Sequence, residues 1–174
     1  GSPIFLFLYM DDMLLSDRHA KELIDLVRQL RLKFTMKDLG PGWQILSMRI
    51  SWLRNQWQLF LSQTNYIKCV LVHYNMKLAK STSSPLPINH WLSQRDYLTS
   101  SSKGEDMKPL PYALTVDSLM YAMVAIRPDI AHVVGVISRL MHNPSRQHWN
   151  AVKHVFRYLV GTQDLGILYS PNKN

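Results

Sequence analysis

The stretch that most constrains this chain is Ile4-Phe5-Leu6-Phe7-Leu8-Tyr9-Met10-Asp11-Asp12-Met13-Leu14-Leu15. An apolar run climbs to two adjacent carboxylates and then turns apolar again. Short apolar runs on either side of a polar break read as the arms of a β-hairpin. Aspartate is poor in a strand and good in a tight turn, so Asp11 and Asp12 belong at or beside the turn. Neighbouring carboxylates repel one another unless a cation lies between them, and hard oxygen donors suit Mg²⁺. The same pair would also serve as the bare polar tip of a hairpin.

After the hairpin the periodicity changes. Ala20, Leu23, Ile24, Val27 and Leu30 keep helical spacing and predict a helix over 17–32, with Ser16 as N-cap and Asp17 in the first turn. Asp17 with Lys21, and Lys21 with Asp25, are i,i+4 pairs on its wet side. Leu39-Gly40-Pro41-Gly42 breaks the chain. From Trp43 to Trp52 apolar and polar residues alternate as in one strand, and Trp57 to Leu61 is its return partner. A helix is expected over 65–74, with Cys69 as a core thiol. Ser, Pro and charge then dominate from Pro85 to Pro111, the best internal boundary, where His90 and Trp91 would pin the connection to the core. Three helices follow, over 112–125, 128–141 and 145–159. Pro128 suits a first helical turn, and Ser145 is placed to cap the third helix. Gly166 to Ser170 reads as a last strand.

Composition narrows the partners. The 174 residues are 47% hydrophobic and 18% charged, enough apolar material for a packed core. The net charge of +8 favours an anionic partner, nucleic acid first among them. A single cysteine excludes an intrachain disulfide and suits a reducing, intracellular setting, cytoplasm or nucleus alike. No apolar run approaches the roughly 20 residues of a membrane span, so no membrane partner is expected.

Tyr9-Met10-Asp11-Asp12 between apolar strands resembles the metal-binding hairpin of reverse transcriptases. Further stretches resemble the polymerase region of copia-type retrotransposons, and they fall in family order. They are Phe34-Thr35-Met36-Lys37-Asp38-Leu39-Gly40, Leu61-Ser62-Gln63 with Tyr66-Ile67, and Ser118-Leu119-Met120-Tyr121. Arg127-Pro128-Asp129-Ile130-Ala131 follows, and then His148-Trp149 through Arg157-Tyr158-Leu159 to Gly161-Thr162.

The resemblance implies an α+β architecture. A truncated palm with two antiparallel hairpins and a helix (1–62) would be followed by a connecting helix (63–84). A flexible connection (85–111), a thumb-like helical bundle (112–165) and a terminal strand (166–174) complete it. It implies Mg²⁺ at Asp11 and Asp12, held weakly because two carboxylates at an open tip offer few ligands. Leu46, Ser47 and Met48 match the primer grip, with Ser47 where the family usually has Gly. The family's other essential Asp and its fingers lie upstream of this hairpin, ahead of Gly1. The chain alone is therefore expected to bind nucleic acid, as RNA–DNA hybrid or duplex, without adding nucleotides.

Arg146, Asn150, Lys153 and Arg157 recur at helical spacing opposite Trp149 and Phe156, a stripe able to track phosphates without reading sequence. Arg28, Arg31, Lys33 and Lys37 form a second basic group. His142 and His148 lack a carboxylate or Cys at ligand spacing, and His148 with Trp149 reads as a packing pair. Asp117 stands where the family usually has Gly and must reach water or a cationic partner. The alternative function is a recruited protein-interaction or self-assembly module, pairing as a homo-oligomer through the open palm edge.

Overall fold

The computed structural model describes residues 3–86 and 110–171. Strands β1 (Phe5–Tyr9) and β2 (Asp12–Ser16) form a two-stranded antiparallel sheet in which Tyr9 faces Asp12. The two-residue turn is Met10-Asp11, with Met10 in the left-handed region at φ 49°. Helix α1 (Ala20–Lys33) follows. It starts three residues later than its periodicity suggests, with His19 and not Ser16 as N-cap. The Asp17 carboxylate instead takes the Arg18 backbone N–H, a local bond that competes with helical pairing. The ion pair on its surface is Asp25 with Arg28 at 3.4 Å, one turn away from the pairs expected.

The segment expected as one strand over 43–52 is itself a hairpin. β3 (Gln44–Ile45) turns at Leu46-Ser47 into β4 (Met48–Leu53). Leu46 and Ser47 have φ 49° and 59°, the double left-handed pattern of a type I′ turn. A 3₁₀ turn (Arg54–Gln56) and left-handed Trp57 lead into β5 (Gln58–Ser62). The chain then enters α2 (Thr64–His73).

Helices α3 (Tyr112–Ala125), α4 (Ala131–Ser138) and α5 (Arg146–Gly161) complete the helical part. Pro128–Ile130 is a 3₁₀ turn ahead of α4. Beyond Ser138 the bonds Leu140 N–H to Ile137 O and Met141 N–H to Ser138 O tighten the chain into turns, so α4 ends three residues early. Ser145 is the N-cap of α5, and its backbone N–H donates to Nδ1 of buried His148 at 2.9 Å. The ring stands where a capping box usually has Glu or Gln.

The terminal strand is not a separate tail. β6 (Gly166–Tyr169) pairs antiparallel with β5 and completes a four-stranded sheet of order β3-β4-β5-β6. Gly166 is required there, because a Cβ would lie 2.2 Å from the Leu61 carbonyl oxygen. The mixed content, five α-helices and two antiparallel sheets among the described residues, is α+β.

The core lies between α2, α3, α4 and α5. Ile67, Val70, Leu71, Val116, Leu119, Val133, Val134, Ile137, Val152, Val155, Phe156 and Leu159 are all buried in it. Cys69 is exposed rather than a core thiol. At about 100° per residue it lies about 200° round α2 from Ile67, on the far side of that helix. Asp117 reaches water, and Ala113 one turn before it is also exposed. By contrast β1, β2 and α1 bury no residue fully. Most of the connection over 85–111, with His90 and Trp91, lies outside the described residues. No helix among the described residues is long and apolar enough to cross a membrane.

One buried charge ties the helices together. Arg127, 1% exposed, donates through Nε and an Nη to the two carboxylate oxygens of Asp129 at 2.9 and 2.7 Å. Its remaining donors reach the Thr162 carbonyl and hydroxyl at the end of α5, at 2.9 and 2.7 Å. The guanidinium also sits 5.6 Å from the Tyr158 ring centroid, and the Tyr158 hydroxyl donates to Asp129 at 2.8 Å. Burial alone would raise the Asp129 pKa. The Arg127 and Tyr158 hydrogen bonds outweigh it and hold the carboxyl below its usual range.

Acidification should therefore protonate Asp129 in the unfolded chain first. The stability it lends is complete above the unfolded value of about 3.9 and fades as pH drops through the lower folded value. Asp129→Asn is expected to flatten that acid limb in melting temperature against pH. Arg127→Ala should cost about 3–5 kcal/mol in urea unfolding at neutral pH, because it strips a buried pair of one partner.

Candidate nucleic-acid and metal site

Three groups of residues singled out in the sequence occupy three separate places. Asp11 lies in the β1–β2 turn and Asp12 opens β2, both exposed at the tip. No hydrogen bond or ion pair among the described residues joins that tip to the other groups. Two carboxylates match the one or two that Mg²⁺ takes from protein, its other positions going to water or phosphate oxygens. Among the described residues no cluster of three or more His, Cys, Asp or Glu could hold a metal. The pair is thus a partial donor set at an open surface.

Leu46 and Ser47 form the β3–β4 turn, and Met48 is the first residue of β4. Left-handed geometry costs an L-residue about 1–2 kcal/mol, so something must hold this turn. That clamp is Tyr121 on α3, whose hydroxyl donates to the Leu46 carbonyl oxygen at 2.6 Å. The Tyr121 ring packs against Tyr66 of α2 at 4.9 Å between centroids, and the Tyr66 hydroxyl donates to the Ser118 carbonyl at 3.0 Å. Burial raises the Tyr66 hydroxyl above its ordinary pKa, so it remains a donor at neutral pH. Ser118 and Tyr121, quoted above only as parts of a motif, thus hold the turn to the helical core.

On α5, Arg146 is exposed while Lys153 and Arg157 are half-buried. Arg157 Nε donates to the Lys80 carbonyl at 2.7 Å, which draws the segment after α2 across this face. Its charge remains, but its geometry is fixed by the chain. Arg31 and Lys33 lie exposed in the last turn of α1.

The Arg127–Asp129–Tyr158–Thr162 network ties two elements of the fold together, and its residue types alone do not single it out. Its signal was the pairing of Arg127-Pro128-Asp129 with Gly161-Thr162. Two distant motifs are close in space because one donates its hydrogen bonds to the other.

With this geometry in hand, comparison with known proteins is direct. The family model described as "Reverse transcriptase (RNA-dependent DNA polymerase)" matches residues 1–88, just over half of the chain. The chain belongs to that family. Its relatives place it in the copia-type retrotransposon branch. The retrovirus-related Pol polyprotein from transposon TNT 1-94 of Nicotiana tabacum is 48% identical over 91% of this chain and 12% of its own length. An uncharacterized mitochondrial protein of Arabidopsis thaliana is 34% identical over 97% of this chain and 66% of its own. The Pol polyprotein from transposon RE2 of Arabidopsis thaliana is 34% identical over 95% of this chain and 11% of its own. The chain therefore spans only about a tenth of the two polyproteins. No solved structure gives a significant match.

The clamp on the turn is open to a two-sided test. Tyr121→Phe should lower stability by about 1 kcal/mol through the lost hydrogen bond. Ser47→Gly should raise it by about 1 kcal/mol, since glycine occupies the left-handed region without the steric cost. Both are read from denaturant midpoints at unchanged slope.

Proposed function

We propose that this chain is the part of a copia-type reverse transcriptase that grips a primer-template, with residues 1–62 as partial palm and 112–165 as thumb. The connection over 63–84 holds a helix only at α2 (Thr64–His73), and β6 (Gly166–Tyr169) completes the sheet. The observation that carries this reading is electrostatic. Against a net charge of +8, the described residues hold only two ion pairs, Asp25 with Arg28 and Arg127 with Asp129. Most basic side chains are thus left to face an external anion. Phosphate backbones are the anion that family membership supports.

In this reading Arg146, Lys153 and Arg157 follow the backbone of a duplex or RNA–DNA hybrid along α5. The clamped turn at Leu46, Ser47 and Met48 offers backbone groups to the primer end. Ser47 carries a side chain where the family's glycine would let a strand approach more closely. Asp11 and Asp12 are the residues that would hold Mg²⁺. When bound, such an ion stabilises charge on the reacting oxygens. These two side chains supply part of that donor set, so the chain should hold a primer-template without extending it.

A specific observation supports a second reading as an assembly module. Phe5, Phe7, Leu8 and Met10 are exposed on a two-stranded sheet with open edges. Such edges invite strand pairing between copies.

Fluorescence anisotropy of a labelled RNA–DNA hybrid across a salt series separates the two. The proposal expects affinity to fall steeply with salt. Arg146→Ala with Lys153→Ala should lower the slope of log K against log salt by about 2. Arg157 is left intact because it also anchors Lys80. Weak, salt-insensitive binding by a stable dimer would favour the assembly reading instead.

A further inference from the structure

The four-stranded sheet has two chemically different faces. Register places Gln44, Arg49, Ser62 and Gly166 in one row across all four strands. Ile50, Leu61 and Ile167 form the next row, and alternation turns them to the opposite face. The polar row opens into a cleft of about 340 Å³ bounded by the sheet, the first turn of α2 and the loop before β6. Arg49, Lys68, Ser62, Thr64, Asn65 and Asp164 are among its lining. A larger hollow of about 430 Å³ runs only along Arg31 to Met36. It is made by one segment of chain and brings no distant groups together.

Three features of the cleft agree. Arg49 and Lys68 are exposed on its lining, and neither side chain forms an ion pair or hydrogen bond among the described residues. Ser62 is 5% exposed, lines the cleft and makes no side-chain hydrogen bond among the described residues. Its hydroxyl is open to the cleft and free to donate to a group bound there. Finally, Thr64 and Asn65 open the ten-residue helix α2, and no side chain caps it. The first intrahelical bond runs from Ile67 N–H to the Gln63 carbonyl at 2.9 Å. The N–H groups ahead of it have no intrahelical acceptor, and the helix dipole adds partial positive charge there. Asp164 is the one opposing charge, set on the exposed rim.

We infer that this cleft is a phosphate site, filled by a backbone phosphate of a bound nucleic-acid strand. The choice of strand as the source rests on the nucleic-acid reading above; the phosphate chemistry does not. The hydroxyls of Ser62 and Thr64 and the open N–H groups of α2 donate to the anion's oxygens, while Arg49 and Lys68 balance its charge. Asp164 weakens the site and keeps it from holding an anion tightly.

The test uses the whole chain and inorganic phosphate as probe. Melting temperature is measured in phosphate against chloride at equal ionic strength. Wild type is expected to gain on the order of 2–4 °C in phosphate. Arg49→Gln with Lys68→Gln should abolish the gain, and Asp164→Asn should enlarge it. A double variant that keeps the gain, or a wild type without one, overturns the inference. Melting in chloride, alike for all variants, confirms that the folds are intact.

A second arm identifies the source. If the double variant also weakens hybrid binding and lowers its salt slope by about 1 to 2, the phosphate belongs to a strand. If hybrid binding is unchanged while the phosphate gain is lost, the site takes small phosphates and the strand assignment fails. If wild type binds no hybrid but keeps its phosphate gain, the nucleic-acid reading falls and the phosphate cleft stands.

Discussion

A single buried guanidinium ties the end of α3 to the end of α5. Arg127 sits where the chain leaves α3, and four of its hydrogen bonds go to two residues far apart in sequence. Asp129 neutralises it from the next turn, and Thr162 takes its other donors just past the end of α5. A helix C-terminus carries unsatisfied carbonyls and partial negative charge, so a buried cation there is well placed. Burying a charge is costly unless it is paired and hydrogen-bonded, and here both conditions are met. The consequence is geometric. With Thr162 fixed, the chain has only Gln163, Asp164 and Leu165 before β6 must begin, so the guanidinium sets where the last strand returns to the sheet.

That return couples the helical core to the polar cleft. β6 closes the sheet beside β5, Asp164 lies on the connection, and Gly166 fits only because it has no side chain. On the other side Tyr121 reaches from α3 to the Leu46 carbonyl and holds an otherwise costly turn. The sheet is thus fastened at both ends to helices that share one core. Its polar row is therefore carried on strands tied to that core.

Much of this was legible in the sequence. The hairpin around Asp11 and Asp12, the helix over 112–125 and the cap at Ser145 followed from turn chemistry, periodicity and capping. The misses have physical causes. Leu46-Ser47 carries none of the Gly, Asn or Asp that normally signals a reversal, because Tyr121 supplies the stabilisation those residues would bring. Alternation continues across a two-residue turn, so the pattern looks like one strand. Ser16 has the right chemistry for a cap, but pairing with Phe5 claims its backbone for β2. The cleft depends on which residues fall in register across four strands, and Gly166 joins that row from more than a hundred residues away. No local pattern could place Arg49 beside Lys68 and Asp164.

Burial is unevenly shared along the chain. Four helices each bury an apolar face in one core, whereas Phe5, Phe7, Leu8, Ile24, Leu32 and Phe34 are largely wet. Backbone pairing in a lone two-stranded ribbon is marginal without a packed face. The first forty or so residues should therefore open at a small fraction of the free energy needed to melt the rest. Heat or denaturant then removes order in two stages, and a single midpoint describes only the later one.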